Sequence, residues 1–127
     1  MNTHKALGPT LRTGVVSGTL AANTSYLVDS IPTSLFRTFT ISNISVFQTV
    51  ANNSAFTITI QAINSAGTTN TLATLNVPAN TRLANIGSIV NVNIPVSSAP
   101  DTVVRVFVNT PATGTMPANV AVHYVIS

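Results

Sequence analysis

Apolar and polar residues alternate with a period of two in short runs along most of the chain. The clearest run covers residues 56–62, where Phe56, Ile58 and Ile60 alternate with polar residues. This period places successive side chains on opposite faces of a β-strand. The three apolar side chains are therefore predicted to face a core.

Further runs with turn residues between them predict about eight strands in all. They cover residues 13–17, 26–28, 36–50, 72–77, 89–94, 102–109 and 120–126. Eight short antiparallel strands in a chain of 127 residues favour an all-β fold, a two-sheet jelly roll or a similar Greek-key sandwich. The length fits a single domain.

The run at 36–50 is long for one strand, and its alternation changes phase in the middle. Phe39 and Ile41 are at odd positions, whereas Ile44 and Val46 are at even positions. A β-bulge or a break near residues 42–43 would explain this change, because one extra residue reverses the facing of all that follow.

The first fourteen residues contain few β-forming residues and are predicted to be a flexible connector arm, with the β-sandwich domain at 15–127. Leu7, Leu11 and Val15 nevertheless share odd positions, so an extended arm would align them on one side. Together with Val16, these residues form the predicted subunit interface.

Composition strengthens the assembly hypothesis. Thr, Asn and Ser number 20, 14 and 12, whereas charged residues make up 6% of the chain and the formal net charge is +3. Electrostatic self-repulsion keeps protein molecules apart, and this chain has little of it. The surface is therefore suited to close packing against copies of itself.

Catalytic and metal chemistry have few candidate residues. The only acids are Asp29 and Asp101, interpreted as turn or capping residues in unrelated loops, and there is no Glu or Cys. His4 and His123 lack the further ligands that a metal site needs. General acid–base work also requires positioned carboxylates. The chain is therefore predicted not to be an enzyme and not to bind a metal or a cofactor.

Other partner classes are also disfavoured. The five basic residues are scattered, with no clustered patch or aromatic platform for nucleic acid. No apolar run approaches the roughly 18 residues of a membrane helix. The N-terminus shows no signal-peptide pattern. We therefore expect the chain neither to bind nucleic acid nor to insert into a membrane.

The chain resembles the endospore-appendage pilins of Bacillus-type bacteria. The matching parts are its size, the Thr/Asn/Val-rich sandwich, the arm ahead of Val15 and Val16, and the closing strand at 119–127. The resemblance implies a jelly-roll subunit of a fibre on the extracellular spore surface, with an anchoring protein and a tip protein as further partners. Family members with covalently linked fibres carry connector cysteines, and this chain has none. The resemblance therefore implies a non-covalent, head-to-tail homopolymer, in which the arm adds a strand to the open sheet edge of the next subunit.

Two alternatives stay open: a viral or phage jelly-roll capsid or decoration protein, and a secreted sugar- or surface-binding module. The absence of Trp weakens the sugar-binding alternative, because such modules generally stack sugars on aromatic rings. Removing residues 1–14 is expected to leave a folded, soluble monomer that forms no filaments. Size-exclusion chromatography and circular dichroism would test this expectation.

Overall fold

The computed structural model describes residues 9–34, 37–50 and 53–127. Within these residues the chain forms nine β-strands and a short 3-10 turn at Ala99–Asp101. The first sheet contains β1 (Thr10–Thr19), β3 (Thr38–Phe47), β6 (Leu83–Ile86), β7 (Val90–Asn93) and β9 (Ala118–Ile126). The second sheet contains β2 (Ser25–Pro32), β4 (Phe56–Asn64), β5 (Thr69–Val77) and β8 (Thr102–Asn109).

The two sheets are antiparallel and pack face to face. The strand order is β1-β9-β3-β6 in the first sheet, where β7 also pairs with β3, and β2-β8-β4-β5 in the second. Strands β1 to β4 alternate between the sheets, and the last strand returns to lie between β1 and β3. This is the order of a jelly roll. The predicted fold class is confirmed.

The core lies between the inward faces of both sheets, as the alternation predicts. Phe56, Ile58 and Ile60 are almost completely buried. Other core residues come from the central strands, namely Val104, Val106, Val108, Val120, Val122 and Tyr124. Branched side chains suit this packing, because they are stiff and fill the space above a pleated sheet.

The predicted bulge in β3 is confirmed. The pairing of β3 with β9 shifts register between Ser42 and Ser45, and Asn43 has a φ of 54°. On its other side, β3 pairs with β7 at residues 38–41 and with β6 at residues 44–47. Strands β6 and β7 therefore lie side by side along the same edge of β3. Strand β6 was missed, which is why eight strands were predicted and nine are found within the described residues.

Asparagine supplies several of the unusual backbone conformations. Asn23, Asn43, Asn80 and Asn119 all have φ between 52° and 57°. Asn tolerates this left-handed region better than most residues, because its short side chain can bond to the local backbone. Part of the Asn bias thus serves turns and bulges and not only the surface.

Strand β1 begins at Thr10, so the predicted boundary between arm and sandwich at residues 14 and 15 falls inside this strand. Residues 10–16 pair with residues 120–126 of β9 in the same chain. The remainder of the predicted arm, residues 1–8 with Leu7, lies outside the described residues. Removing residues 1–14 would therefore also remove half of a paired strand, so it is not the simple deletion of an arm that was expected.

The middle of β1 runs close to the backbone of β2. A Cβ atom at Gly14 would overlap the carbonyl oxygen of Val28. Val28 is the extra residue of a bulge in β2, since the register with β8 shifts between Leu27 and Asp29. Glycine at position 14 allows this approach, because it has no side chain to clash.

We expect Gly14→Ala to lower the free energy of unfolding by about 1–3 kcal/mol, because the added methyl group must displace backbone. Gly87→Ala is the matched control, since a Cβ there meets nothing within 4 Å and its φ is not positive. Urea denaturation of the two variants measures the difference. Equal stabilities would contradict the close approach of β1 and β2.

Candidate functional site

Strand β1 is an edge strand of the first sheet. It pairs with β9 on one side, and no strand of the described residues pairs with it on the other. An edge strand is the part of a sheet that another chain can most readily replace or extend. The edge formed by β1 and β9 is therefore the candidate site for the predicted strand addition.

The inward side of β1 contributes little to the core. Its inward residues are Arg12, Gly14 and Val16, and only Val16 is an apolar side chain that packs against the core, where it is half-buried. No residue of β1 belongs to the buried cluster. The strand is therefore held mainly by its hydrogen-bond ladder with β9 and by polar contacts.

The outward side of β1 presents apolar groups to solvent. Leu11 and Val15 are 69% and 58% exposed. Of the predicted interface residues, Leu11 and Val15 thus lie together on the outer face, whereas Val16 points inward. Leu7 lies outside the described residues.

Asp29 in β2 joins three strands through its carboxylate. Both oxygens accept hydrogen bonds from Arg12 of β1, with Nε to Oδ2 and Nη2 to Oδ1 distances of 2.8 Å each. The hydroxyl of Tyr124 in β9 donates to Oδ2. The backbone N–H of Ser30 donates to Oδ1 at 2.8 Å. A bidentate pair of this kind fixes geometry as well as charge.

Strand pairing brings this cluster together. Arg12 and Tyr124 lie opposite each other in the β1–β9 ladder. Asp29 reaches them from the other sheet, at the corner where β1 and β2 meet. Within the described part of the chain, Arg12–Asp29 is the one ion pair. It ties the edge of one sheet to the edge of the other.

The protonation equilibria of the cluster favour the ion pair. Burial would raise the pKa of Asp29, but the hydrogen bonds from Arg12 and Tyr124 outweigh it and hold that pKa below its ordinary value. The hydrogen bond to Asp29 raises the pKa of Arg12. Burial, followed by the hydrogen bond to Asp29, raises the pKa of Tyr124. The network thus stays ionised and intact at neutral pH.

The interpretation of Asp29 as a turn or capping residue was wrong. It lies within strand β2, where the local bulge and the guanidinium of Arg12 accommodate a carboxylate. Asp101 ends the 3-10 turn, as a loop acid would. Arg12 could not be predicted from the sequence as the partner of Asp29, because the two residues are 17 positions apart and lie in different sheets.

Strand β1 ends in an irregular segment that could act as a hinge. The register with β9 shifts between Val16 and Thr19, and Gly18 has a φ of 80°. Directly after it, Leu20 is buried in the core and its N–H donates to the carbonyl of Pro117 at 3.1 Å. Leu20 therefore fixes the base of β1, and the bend lies just before it.

The outer face of the first sheet carries an exposed row of apolar side chains that crosses four strands. Val15, Ala121, Phe47 and Leu83 lie opposite one another in successive strand pairs. Phe47 and Leu83 are 41% and 60% exposed. We call these four residues the apolar row. Phe47 and Leu83 were not predicted as interface residues, although Phe47 is out of phase with the buried Val46 beside it.

A polar row lies next to the apolar row on the same face. Thr13, His123, Ser45 and Asn85 are opposite one another in the same strand pairs. The Oγ1 of Thr13 and the Nδ1 of His123 are 2.9 Å apart. His123 is thus a strand-surface histidine, on the face opposite to that of Tyr124.

Among the described residues, no group of three or more His, Cys, Asp or Glu residues is placed to hold a metal ion. The same residues include no helix that is long and apolar enough to cross a membrane.

Comparison with known proteins found similar solved structures only. No protein-family model and no curated protein matched the chain. The VP2 subviral particle of infectious bursal disease virus is 17% identical with a TM-score of 0.48, and the match covers 94% of this chain and 32% of that one. A T=1 particle structure of the same virus, with a D431N mutant VP2, is also 17% identical, with a TM-score of 0.47, over 94% and 31% of the two chains.

A third similar structure is a carbohydrate-binding module. It is the C-terminal family 22 module of Xyn10B from Clostridium thermocellum, 17% identical with a TM-score of 0.41 over 93% of this chain and 81% of that one. The chain spans about a third of the length of the viral chains that it matches. By its strand order, the protein is a jelly-roll β-sandwich.

The Asp29 cluster predicts a specific dependence of stability on pH. We expect Asp29→Asn to lower the free energy of unfolding at pH 7 by about 2 kcal/mol, because Arg12 loses its carboxylate partner. The folded-state pKa of Asp29 is lowered. Its stabilisation is therefore present above the unfolded pKa of about 3.9 and is lost as pH falls through the folded value.

Urea denaturation between pH 2 and pH 7 measures this effect. The free energy of unfolding of the wild type should decrease as the pH drops below about 4, whereas that of the Asp29→Asn variant should decrease much less. Asp101→Asn is the control, since Asp101 is the only other acidic side chain in the chain. It leaves the Asp29 cluster intact and should show the same decrease as the wild type. Parallel curves for wild type and Asp29→Asn would contradict the assigned role of the cluster.

Proposed function

We propose that this chain is a non-catalytic structural subunit that assembles with copies of itself by exchanging strand β1. In the exchanged form, β1 of one subunit pairs with β9 of the next. The observation that carries the proposal is that β1 is an edge strand with no residue in the buried core. Such a strand can leave its own sandwich while the core stays largely intact.

Exchange would re-form the contacts that the closed monomer makes. The incoming strand would bring Arg12 to Asp29 and Tyr124 of the neighbour and would place Gly14 against the neighbour's Val28. Because the contacts are the same, the two forms differ mainly in the hinge and in the entropy of association. Protein concentration and any additional contact between subunits then decide which form predominates.

The ion pair would select the register of the exchanged strand. A slip of one residue would turn Arg12 outward and leave Asp29 without its partner. A partly buried carboxylate that loses its guanidinium partner is destabilising, so the correct register is favoured. The hinge at Gly18 would supply the change of direction, and Leu20 would stay in its own core.

Head-to-tail exchange produces a string of subunits unless the rotation between neighbours closes a ring. The low charge of the chain favours such assembly, because neighbours repel one another weakly. In its more specific form, the proposal is a non-covalent, pilus-like fibre on an extracellular surface, specifically a spore surface. The resemblance to endospore-appendage pilins supports this form, and it adds an anchoring protein and a tip protein as partners.

An engineered cysteine pair tests the exchange. Val16 and Val120 lie opposite each other in the β1–β9 ladder, and the chain has no cysteine of its own. Exchange places the two residues in different chains, so oxidation of assembled Val16→Cys/Val120→Cys protein should give a ladder of covalent multimers. Non-reducing denaturing electrophoresis would display the ladder, and a reductant should collapse it to monomer.

The control pair is Val46→Cys/Ala84→Cys, which lies opposite in the β3–β6 ladder and stays within one chain in either form. It should give monomers with an internal disulfide. Each single-cysteine variant should give dimers at most. If the Val16/Val120 pair yields only internally bridged monomers from assembled protein, or if no assembly forms at high concentration, the proposal is wrong.

A further inference from the structure

The outer face of the first sheet has no formal charge at its strand positions. Its outward residues are Leu11, Thr13, Val15, Ser17, Thr38, Thr40, Ser42, Ser45, Phe47, Leu83, Asn85, Asn91, Asn93, Ala121, His123 and Val125. None is Lys, Arg, Asp or Glu. We propose that this face is a lateral interface, occupied by the identical face of a second copy, that pairs two strings of exchanged subunits. This inference rests on the proposed exchange.

Charge decides between this face and the corresponding face of the second sheet. The second sheet carries Arg105 on its central strand β8, with Phe107 and Leu27 nearby on the same side. Two such faces brought together by a two-fold axis would oppose one guanidinium with another. The first sheet has no equivalent repulsion, and it offers no charged group to recognise a nucleic acid or an acidic peptide.

The apolar row makes the face complementary to itself. A two-fold axis brings the same patch of both copies together, so apolar side chains near the axis meet apolar side chains. Phe47 lies within the row, where an aromatic ring contributes the largest contact area. Beside the row, a groove of about 530 Å³ opens at the bulge of β3, and its exposed Ile89 extends the apolar surface.

The size of the face implies a weak contact for single copies. Four strands about 4.8 Å apart, paired over about seven residues of about 3.4 Å each, cover about 450 Å². Two such faces together bury about 900 Å². Stable protein complexes of standard size bury about 1,200–2,000 Å², which is more. Strings present the face at a regular repeat, so two paired strings form many such contacts. Each contact raises the effective concentration for the next.

The same face is continuous with the exchanged strand. Val15 and Leu11 belong to β1, so in a string they would be supplied by the preceding subunit. Lateral pairing would therefore bury residues from both sides of each joint. This contact would favour the string over the closed monomer, although the joint itself is nearly identical in the two forms.

Mass per unit length of the fibres, measured by scanning transmission electron microscopy, tests the lateral interface. Phe47→Asp and, independently, Leu83→Asp place a carboxylate in the apolar row and should reduce the mass per length about two-fold. Leu27→Asp is the matched control, since Leu27 is 49% exposed on the outer face of the second sheet. It should leave the mass per length unchanged. Circular dichroism establishes that each variant is folded.

The cysteine-pair ladder, built into the same variants, separates failure of the lateral contact from failure of the exchange. A retained ladder with an unchanged mass per length in both row variants would overturn the lateral interface alone, as would an equal loss in Leu27→Asp. If wild type gives no ladder, sedimentation equilibrium of the closed monomer decides. A weak dimer that Phe47→Asp abolishes would support the face, and a strictly monomeric protein at the highest soluble concentration would overturn it.

Discussion

The Arg12–Asp29 ion pair joins the edges of the two sheets. Asp29 in β2 accepts hydrogen bonds from Arg12 of β1 and Tyr124 of β9, and Arg12 also donates to the backbone carbonyl of Ser30 in β2. The core depends little on β1, because Val16 is the only apolar side chain of this strand that packs against it and no residue of β1 belongs to the buried cluster. The sandwich therefore has one edge strand that is held mainly by its ladder with β9 and by this ion pair.

In the proposed assembly, the ladder and the ion pair would have different roles, which would allow a chain with so few charges to assemble specifically. Uncharged faces associate readily but carry little information about register. A single partly buried ion pair would supply that information where strands from two copies meet, since only one register joins Arg12 to Asp29. In the proposed assembly, specificity would come from the joint, and lateral strength would come from repetition of a weak apolar contact, in which Phe47 is the largest side chain.

Much of the fold follows from alternation alone. The period of two identified the inward residues of β4, and the phase change placed the bulge of β3 near residues 42–43, where Asn43 has a positive φ. Strand β6 was missed because four residues with one buried side chain give too short a pattern. The Asp29 cluster and the apolar row arise from strand order and register, which bring residues 17 or more positions apart into contact. Local patterns contain no information about such contacts.

The central claim is that the β1 strand that pairs with β9 comes from a neighbouring subunit. A cryo-electron microscopy map of the assembled protein, at a resolution that traces the backbone from Gly18 to Leu20, measures this directly. Strand exchange predicts continuous density at the hinge that leads from the β1 of one sandwich into the β2 of the next. A map in which β1 connects to the β2 of its own sandwich in every subunit would contradict it.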